Sequence, residues 1–329
     1  MNWGRRVDVR RMAGPVGRVA ATVAMLVWLS RHVHVSQLRI PGWRPMTLVW
    51  LGAALGVTLV GVGLSALRWQ RVLAALELPA RVPTLVRHYL ASLFVGNFLP
   101  TTIGGDVLRV RRLAAANGQT PGTAASVVLE RLTGWLVLPL LTIVALTVNP
   151  GLRRVAPAPA ATAFTVAVVT LVLLATLLVV ASSSRVGRRL DGSEGWRRFT
   201  GAVHLGLDRV RRNPGLAFEI CTVGFAYQLA VVLAAFLAAK ALGVGVGWTA
   251  ILAFFPVVAI VQVLPLTVSG LGTREAAMVF FLHPLGVAQA DAFALGLLVY
   301  FVNLGVSLLG APAFAVGSRA RRTASRAMA

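Results

Sequence analysis

The chain has 329 residues, 57% of them hydrophobic and 13% charged, with a mean hydropathy of +0.79 and a formal net charge of +22. So apolar a composition excludes a water-soluble domain of this size and predicts an integral membrane protein. The basic excess falls between apolar runs, the positive-inside pattern, so no nucleic-acid partner is expected, and a lone Cys221 supplies neither a disulfide nor a thiolate metal site.

Uncharged runs at 46–67, 132–152, 155–184, 220–239, 241–273 and 292–318 approach or exceed the roughly 20 residues that cross a bilayer. A shorter run, 19–30, becomes long enough if Arg18 and Arg31 snorkel to the interfaces. It has no small-x-small cleavage site before Val33 to Leu38, which predicts a retained helix after a basic tail at 1–18, with His32 and His34 as interfacial filler. The second crossing, Met46 to Leu67, carries Gly52 and Gly56 at the spacing that lets helices approach closely. Arg68, Trp69 and Arg71 then predict an interfacial belt, and Pro79 and Pro83 a surface turn.

Residues 88–105 carry no ionised side chain, yet Pro100, Gly104 and Gly105 interrupt them. Proline removes an amide donor and disfavours a helical Leu99, while paired glycines permit a tight reversal. Asp106 opens a second apolar segment as a helix-capping carboxylate would, with Arg109 one turn on. Tyr89 to Leu99 and Val107 to Ala116 therefore predict the arms of a re-entrant hairpin within 88–116, flanked on both sides by arginines. The next crossing, about Thr123 to Val148, stacks Ser126, Glu130, Thr133 and Gly134 on one face; Arg131 points elsewhere, to a neighbouring helix or the interface. Residues 155–181 read as a featureless scaffold facing lipid.

At 182–215 an arginine-rich stretch predicts a cytoplasmic linker with an amphipathic helix around Trp196 to Val210, in contact with solvent or lipid. The second half, 216–316, opens with a crossing over Leu216 to Ala239. A second break follows within 248–284, where VLPLTVSGLGTRE, Val263 to Glu275, repeats the Leu-Pro-x-Thr-x-x-Gly of Leu99 to Gly105. The last crossing, about Asp291 to Val316, shows a stripe of Gly296, Tyr300, Asn303, Ser307 and Gly310 that should face neighbouring helices; 317–329 is a basic tail. The fold expected is all-α and polytopic, with about six transmembrane helices and two re-entrant hairpins entering from opposite sides. An inverted relation between the halves stays open. Placing 1–18, 68–87, 182–215 and 317–329 in the cytoplasm puts both termini there.

Ionised side chains at membrane depth cost roughly 2.5–3.5 kcal/mol or more unless paired or wetted, and five fall there: Asp106, Arg109, Glu130, Arg274 and Glu275. They can clamp the broken loops through ion pairs such as Asp106 with Arg109 or Arg274. Equally, Arg109 and Arg274 can hold a phosphate beside the glycine turns while Asp106, Glu130 or Glu275 receives the positive part of a headgroup. The expected binding set is Asn97, Pro100, Gly104, Gly105, Asp106, Arg109, Glu130, Arg131, Gly270, Gly272, Arg274 and Glu275.

NFLPTTIGGDVLRVRRL from Asn97, SVVLERL from Ser126, LSALRWQRVL from Leu64 and SGLGTREAA from Ser269 resemble, in this order, the motifs of the lysylphosphatidylglycerol synthase transmembrane-region family of flippase-like membrane proteins, over roughly 18–316. The resemblance implies an inner-membrane protein that moves, or helps move, a lipid-linked headgroup between leaflets, a phospholipid or a polyprenyl-phosphate-linked one. The family's acidic residue and Arg after the first glycine pair match Asp106 and Arg109, its Glu-Arg pair Glu130 and Arg131, and its Arg-Glu pair Arg274 and Glu275. The soluble aminoacyl-transferring domain of fused relatives is not expected after Ala329. A membrane subunit partnering a cell-envelope glycosyltransferase or lipid synthase through 182–215 is the alternative, and a small-solute transporter a rival within transport. With no Walker motif, paired histidines or nucleophile-base pair, neither an enzyme nor a cofactor or metal is expected.

Overall fold

The computed structural model describes residues 9–32, 45–98, 104–182, 195–264 and 267–315, and among them every regular element is helical. Leu99, Pro100 and Thr102 of the first motif, Pro265 of the second, Val33 to Leu38 with His34, most of the basic linker before Gly195 and the basic tail at 317–329 lie outside the described residues. The helices are α1 Val9–His32, α2 Pro45–Ala75, α3 Val82–Phe98, α4 Gly104–Asn117, α5 Thr120–Val148, α6 Pro150–Val155, α7 Pro157–Ser182, α8 Gly195–Arg212, α9 Pro214–Ala241, α10 Trp248–Val263, α11 Thr273–Leu282 and α12 Gln289–Leu308, the last continued by a turn at 310–315. Five of these, α2, α5, α7, α9 and α12, are long and apolar enough to cross a bilayer, and α1 holds a shorter apolar stretch, Arg18–Leu29. Their starts follow local chemistry. Asn213 Oδ1 accepts from the Leu216 amide at 3.1 Å ahead of α9, and Pro214 takes an early position where its missing donor costs nothing.

α2 and α9 pack along their lengths in opposite directions: Ala54 clusters with Leu237, Gly61 faces Tyr227, and Arg71 pairs with Glu219 at 3.1 Å. The ends of α2 and α9 therefore lie on opposite faces of the bundle, and so do the hairpins they lead into. α3 and α4 enter and return on the face where α2 ends, because the Gln70 amide donates to Ala80 O and Asn117 bonds Thr123 at the start of α5. α5 crosses to the other face, where Asn149 Nδ2 donates to Thr249 Oγ1 beside the start of α10. α10 and α11 enter and return there, and α12 crosses back, so that Arg112 at the foot of α4 donates to Ala313 O and Phe314 O. Long helix, broken pair, long helix thus occurs twice, and α5 packs on α10 as α12 packs on α3.

α1 braces the second hairpin: Thr22 Oγ1 accepts from the Val268 amide at 2.8 Å, and Leu29 packs with Ala290 and Phe293. α7 leaves most of its apolar surface outward, as a lipid-facing scaffold should. α8 lies under the face where α2 ends. Its apolar side, including Phe199, Val203 and Leu207, joins the core around Trp69, Leu73 and Leu129, and its arginines are left outside.

Two local expectations change. α2 does not stop at Leu67 but runs two turns further, so Arg68 and Trp69 are buried inside it instead of forming a belt. Nor do Gly52 and Gly56 make the close approach: among the described residues nothing lies within 4 Å of a Cβ built on either. The close approaches are elsewhere. A Cβ on Gly105 would run into Ser92 O, and one on Gly310 into Leu90 O, both backbone atoms that cannot swing aside. Gly105→Ala should therefore cost about 1–3 kcal/mol of stability, read as a lowered unfolding midpoint in detergent, while Gly52→Ala should leave the midpoint unchanged.

Candidate functional site

The sequence places Glu130 two to three turns into α5, and tertiary packing gathers the charges around it. Arg68 from α2 donates through Nη2 to Glu130 Oε1, and Arg109 from α4 donates through Nη2 to Glu130 Oε2 at 3.0 Å. Arg109 also reaches back one turn, Nε to Asp106 Oδ1 at 3.0 Å, and Arg131 closes on Asp106 Oδ2 at 2.6 Å. Glu130 and Arg109 are each 1% exposed and Arg68 is 3% exposed. At such depth a lone charge would cost several kcal/mol, and the alternation of signs is what makes the chain of ions tolerable.

Neighbours fix the geometry. Ser65 Oγ lies 3.1 Å from Glu130 Oε1 and 2.9 Å from Tyr89 OH. Trp69 Nε1 donates to Ser126 Oγ at 2.9 Å, and the Arg109 guanidinium lies over both the Trp69 and Tyr89 rings. Arg68 threads between two glycines: a Cβ on Gly134 would come within 2.5 Å of Arg68 Nη1, and one on Gly224 would touch its stem.

The second break is held by one carboxylate. Glu275 Oε2 accepts from the Gly272 amide at 2.5 Å, capping α11, and Oε1 accepts from Arg274 Nε and Nη2 at 3.2 and 2.9 Å. Ser269, Gly270 and Gly272 all take positive φ, which is why the turn is written with glycines. Gly296 of α12 leaves room for the Glu275 side chain, and Arg274 lies over the Tyr300 ring.

Between the two hairpins and α2, α9 and α12 lies a cavity of 330 Å³. Of the residues singled out in the sequence, Asn97, Gly105, Asp106, Arg131 and Arg274 line it. Arg109, Glu130 and Glu275 lie behind its wall, Gly104 opens α4, Gly270 and Gly272 shape the second turn, and Pro100 is outside the described residues. Asp106 pairs with Arg109 as expected; its other partner is Arg131 and not Arg274, which is taken by Glu275 instead. The two arginines expected to share a phosphate differ in setting. Arg109 is enclosed by rings and carboxylates, whereas Arg131, with a side chain 37% exposed, and Arg274 reach the cavity.

Sequence reading puts Tyr300 in an inward-facing stripe but assigns neither Arg68 nor any tyrosine to the site. The chain has three, Tyr89, Tyr227 and Tyr300, and all line the cavity with an arginine over each ring: Arg109, Arg68 and Arg274 in turn. Scarcity was the available signal, since three tyrosines among so many apolar residues each fall in or beside a membrane segment. In comparisons with known proteins, no curated protein matches the chain. The family model described as the lysylphosphatidylglycerol synthase TM region matches residues 16–310, a span that takes in both hairpins, the ion chain and the cavity. By that match this chain belongs to the lysylphosphatidylglycerol synthase TM region family of membrane proteins.

Proposed function

We propose that the chain moves a lipid with a phosphate-bearing headgroup, a phospholipid or a polyprenyl-phosphate-linked lipid, between leaflets, with neither nucleotide hydrolysis nor chemistry on the lipid. The observation that carries this reading is one cavity shared by two broken hairpins from opposite faces, largely apolar in its lining but with Arg131 and Arg274 on its wall. Opposed broken hairpins meeting at a midplane site are the architecture through which inverted repeats expose one site to each side in turn. A space of 330 Å³ suits a headgroup, while acyl chains stay in the surrounding lipid. The test is purified protein in proteoliposomes without nucleotide. Headgroups of labelled lipid should become accessible to an outside quencher much faster than in protein-free vesicles; an equal rate would defeat the reading.

The face bearing α8 is assigned to the cytoplasm of the plasma membrane, since Arg197, Arg198, Arg209, Arg211 and Arg212 lie there against Arg153, Arg154 and Lys240 on the other. Both ends of the described chain then face the cytoplasm. In a Cys221→Ala background, an impermeant thiol reagent applied to intact cells should label Arg154→Cys and spare Arg211→Cys until the cells are opened. The reverse pattern would invert the assignment. A glycosyltransferase or lipid synthase partner would have to dock on the arginine-bearing side of α8, because Gly206 and its apolar neighbours are already pressed on Leu129 and Leu76.

A further inference from the structure

We infer that the cavity selects a headgroup with one negative charge and a neutral, hydroxyl-bearing remainder, a phosphodiester of a polyol or sugar, and rejects headgroups that carry an amine. This rests on the headgroup-binding reading above and goes further in naming the class. The first ground is the fate of the carboxylates. Asp106 Oδ1 faces Arg109 and Oδ2 faces Arg131. Glu130 Oε1 takes Arg68 and Ser65, and its Oε2 takes Arg109. Glu275 Oε1 takes Arg274, and its Oε2 the Gly272 amide. All six carboxylate oxygens around the cavity already face a guanidinium or a backbone amide, so an ammonium group would have to compete with one of these at every oxygen. The second ground is the rings. Tyrosine faces are the other means of receiving a cation, and here each already carries a guanidinium that would repel it.

The third ground is charge. Four arginines, 68, 109, 131 and 274, stand against three carboxylates, leaving one positive charge uncompensated among the described residues. Of these four arginines, Arg131 and Arg274 line the cavity, and both keep donors to spare. Arg131 Nε forms an ion pair with Asp106 at 2.6 Å but makes no hydrogen bond among the described residues, and neither do its two Nη atoms or Arg274 Nη1. A guanidinium with a free pair of N–H groups matches two phosphate oxygens. One surplus charge balances a phosphodiester and leaves a phosphomonoester in excess. The rest of the polar wall, Asn97, Gln262, Ser269 and Asn303 with Tyr227 and Tyr300, is neutral and offers the mixed donors and acceptors that hydroxyl groups require.

The test uses the full purified chain, stripped of lipid and offered equal amounts of phosphatidylglycerol, phosphatidylethanolamine, phosphatidic acid and a polyprenyl phosphohexose, with retained lipid read by native mass spectrometry. Phosphatidylglycerol, the polyprenyl phosphohexose, or both should be retained at least about tenfold over phosphatidylethanolamine, and which of the two leads identifies the source. Arginines of α8 attract anionic lipid by themselves, so the preference should vanish in Arg131→Gln and persist in Arg211→Gln. Asp106→Asn, which adds a second surplus charge, should shift retention toward phosphatidic acid. Equal retention of phosphatidylethanolamine, or a preference that survives Arg131→Gln, overturns the inference. The two readings fail separately. Proteoliposomes that move nothing while retention stays selective sink translocation alone, and amine headgroups carried as fast as glycerol headgroups sink selectivity alone.

Discussion

Glu130→Leu should be the most damaging single substitution in the chain, costing about 3–5 kcal/mol of stability. It removes the carboxylate that receives Arg68 and Arg109, both nearly inaccessible, and strands two guanidinium groups in the apolar bundle. Among the described residues Arg68 has no other acid, and its Nε and Nη1 already lack hydrogen-bond partners. Arg109 keeps Asp106, so the larger part of the loss belongs to Arg68. Adding Arg68→Met to Glu130→Leu should therefore restore most of the lost stability, since a buried ion pair replaced by apolar groups of similar size is often neutral. Unfolding midpoints in detergent for the two singles and the double decide it. If the double is as unstable as Glu130→Leu alone, the stranded Arg68 charge is not the cause.

Arg131→Gln should have the opposite profile, a large loss of translocation with little loss of stability. The side chain is partly exposed and Asp106 retains Arg109, so the fold loses a half-wet ion pair worth about 1 kcal/mol or less. The substrate loses a charge-assisted contact of about 1.5–3 kcal/mol, which is roughly a tenfold to hundredfold effect on headgroup movement in proteoliposomes. Arg131→Lys should recover only part, because an ammonium keeps the charge and not the paired N–H geometry. Translocation at the wild-type rate in Arg131→Gln would remove this arginine from the site.

The contrast between these neighbours shows where sequence reading stops. Glu130 and Arg131 are adjacent, and helical periodicity alone says that they cannot share a face. It does not say that Asp106, from another helix, would hold Arg109 with one oxygen and Arg131 with the other, and so link the buried ion chain to the cavity wall. Arg68 was misplaced for a related reason. A hydropathy run ends at its first arginine, so α2 was closed at Leu67 and the next residues became an interfacial belt. The partner that permits Arg68 to stay in the helix lies 62 residues on.

The apolar runs, the two Pro/Gly interruptions and the charges beside them were legible in the sequence, because each follows from a property summed over adjacent residues: hydropathy over a span, a missing amide donor, a backbone freed at glycine. The stripe of Gly296, Tyr300, Asn303, Ser307 and Gly310 was legible too: Gly296 faces Glu275, Tyr300 faces Arg274, Asn303 lines the cavity and Gly310 faces Leu90, while Ser307 is buried and bonds back to Leu304 O. Only the tertiary structure decided which arginine meets which carboxylate, which of them reach the cavity, and that all three tyrosines converge there. Pairing of charges in a low-dielectric interior is settled by distances of about 3 Å between separate helices, and no local sum over one helix contains those distances.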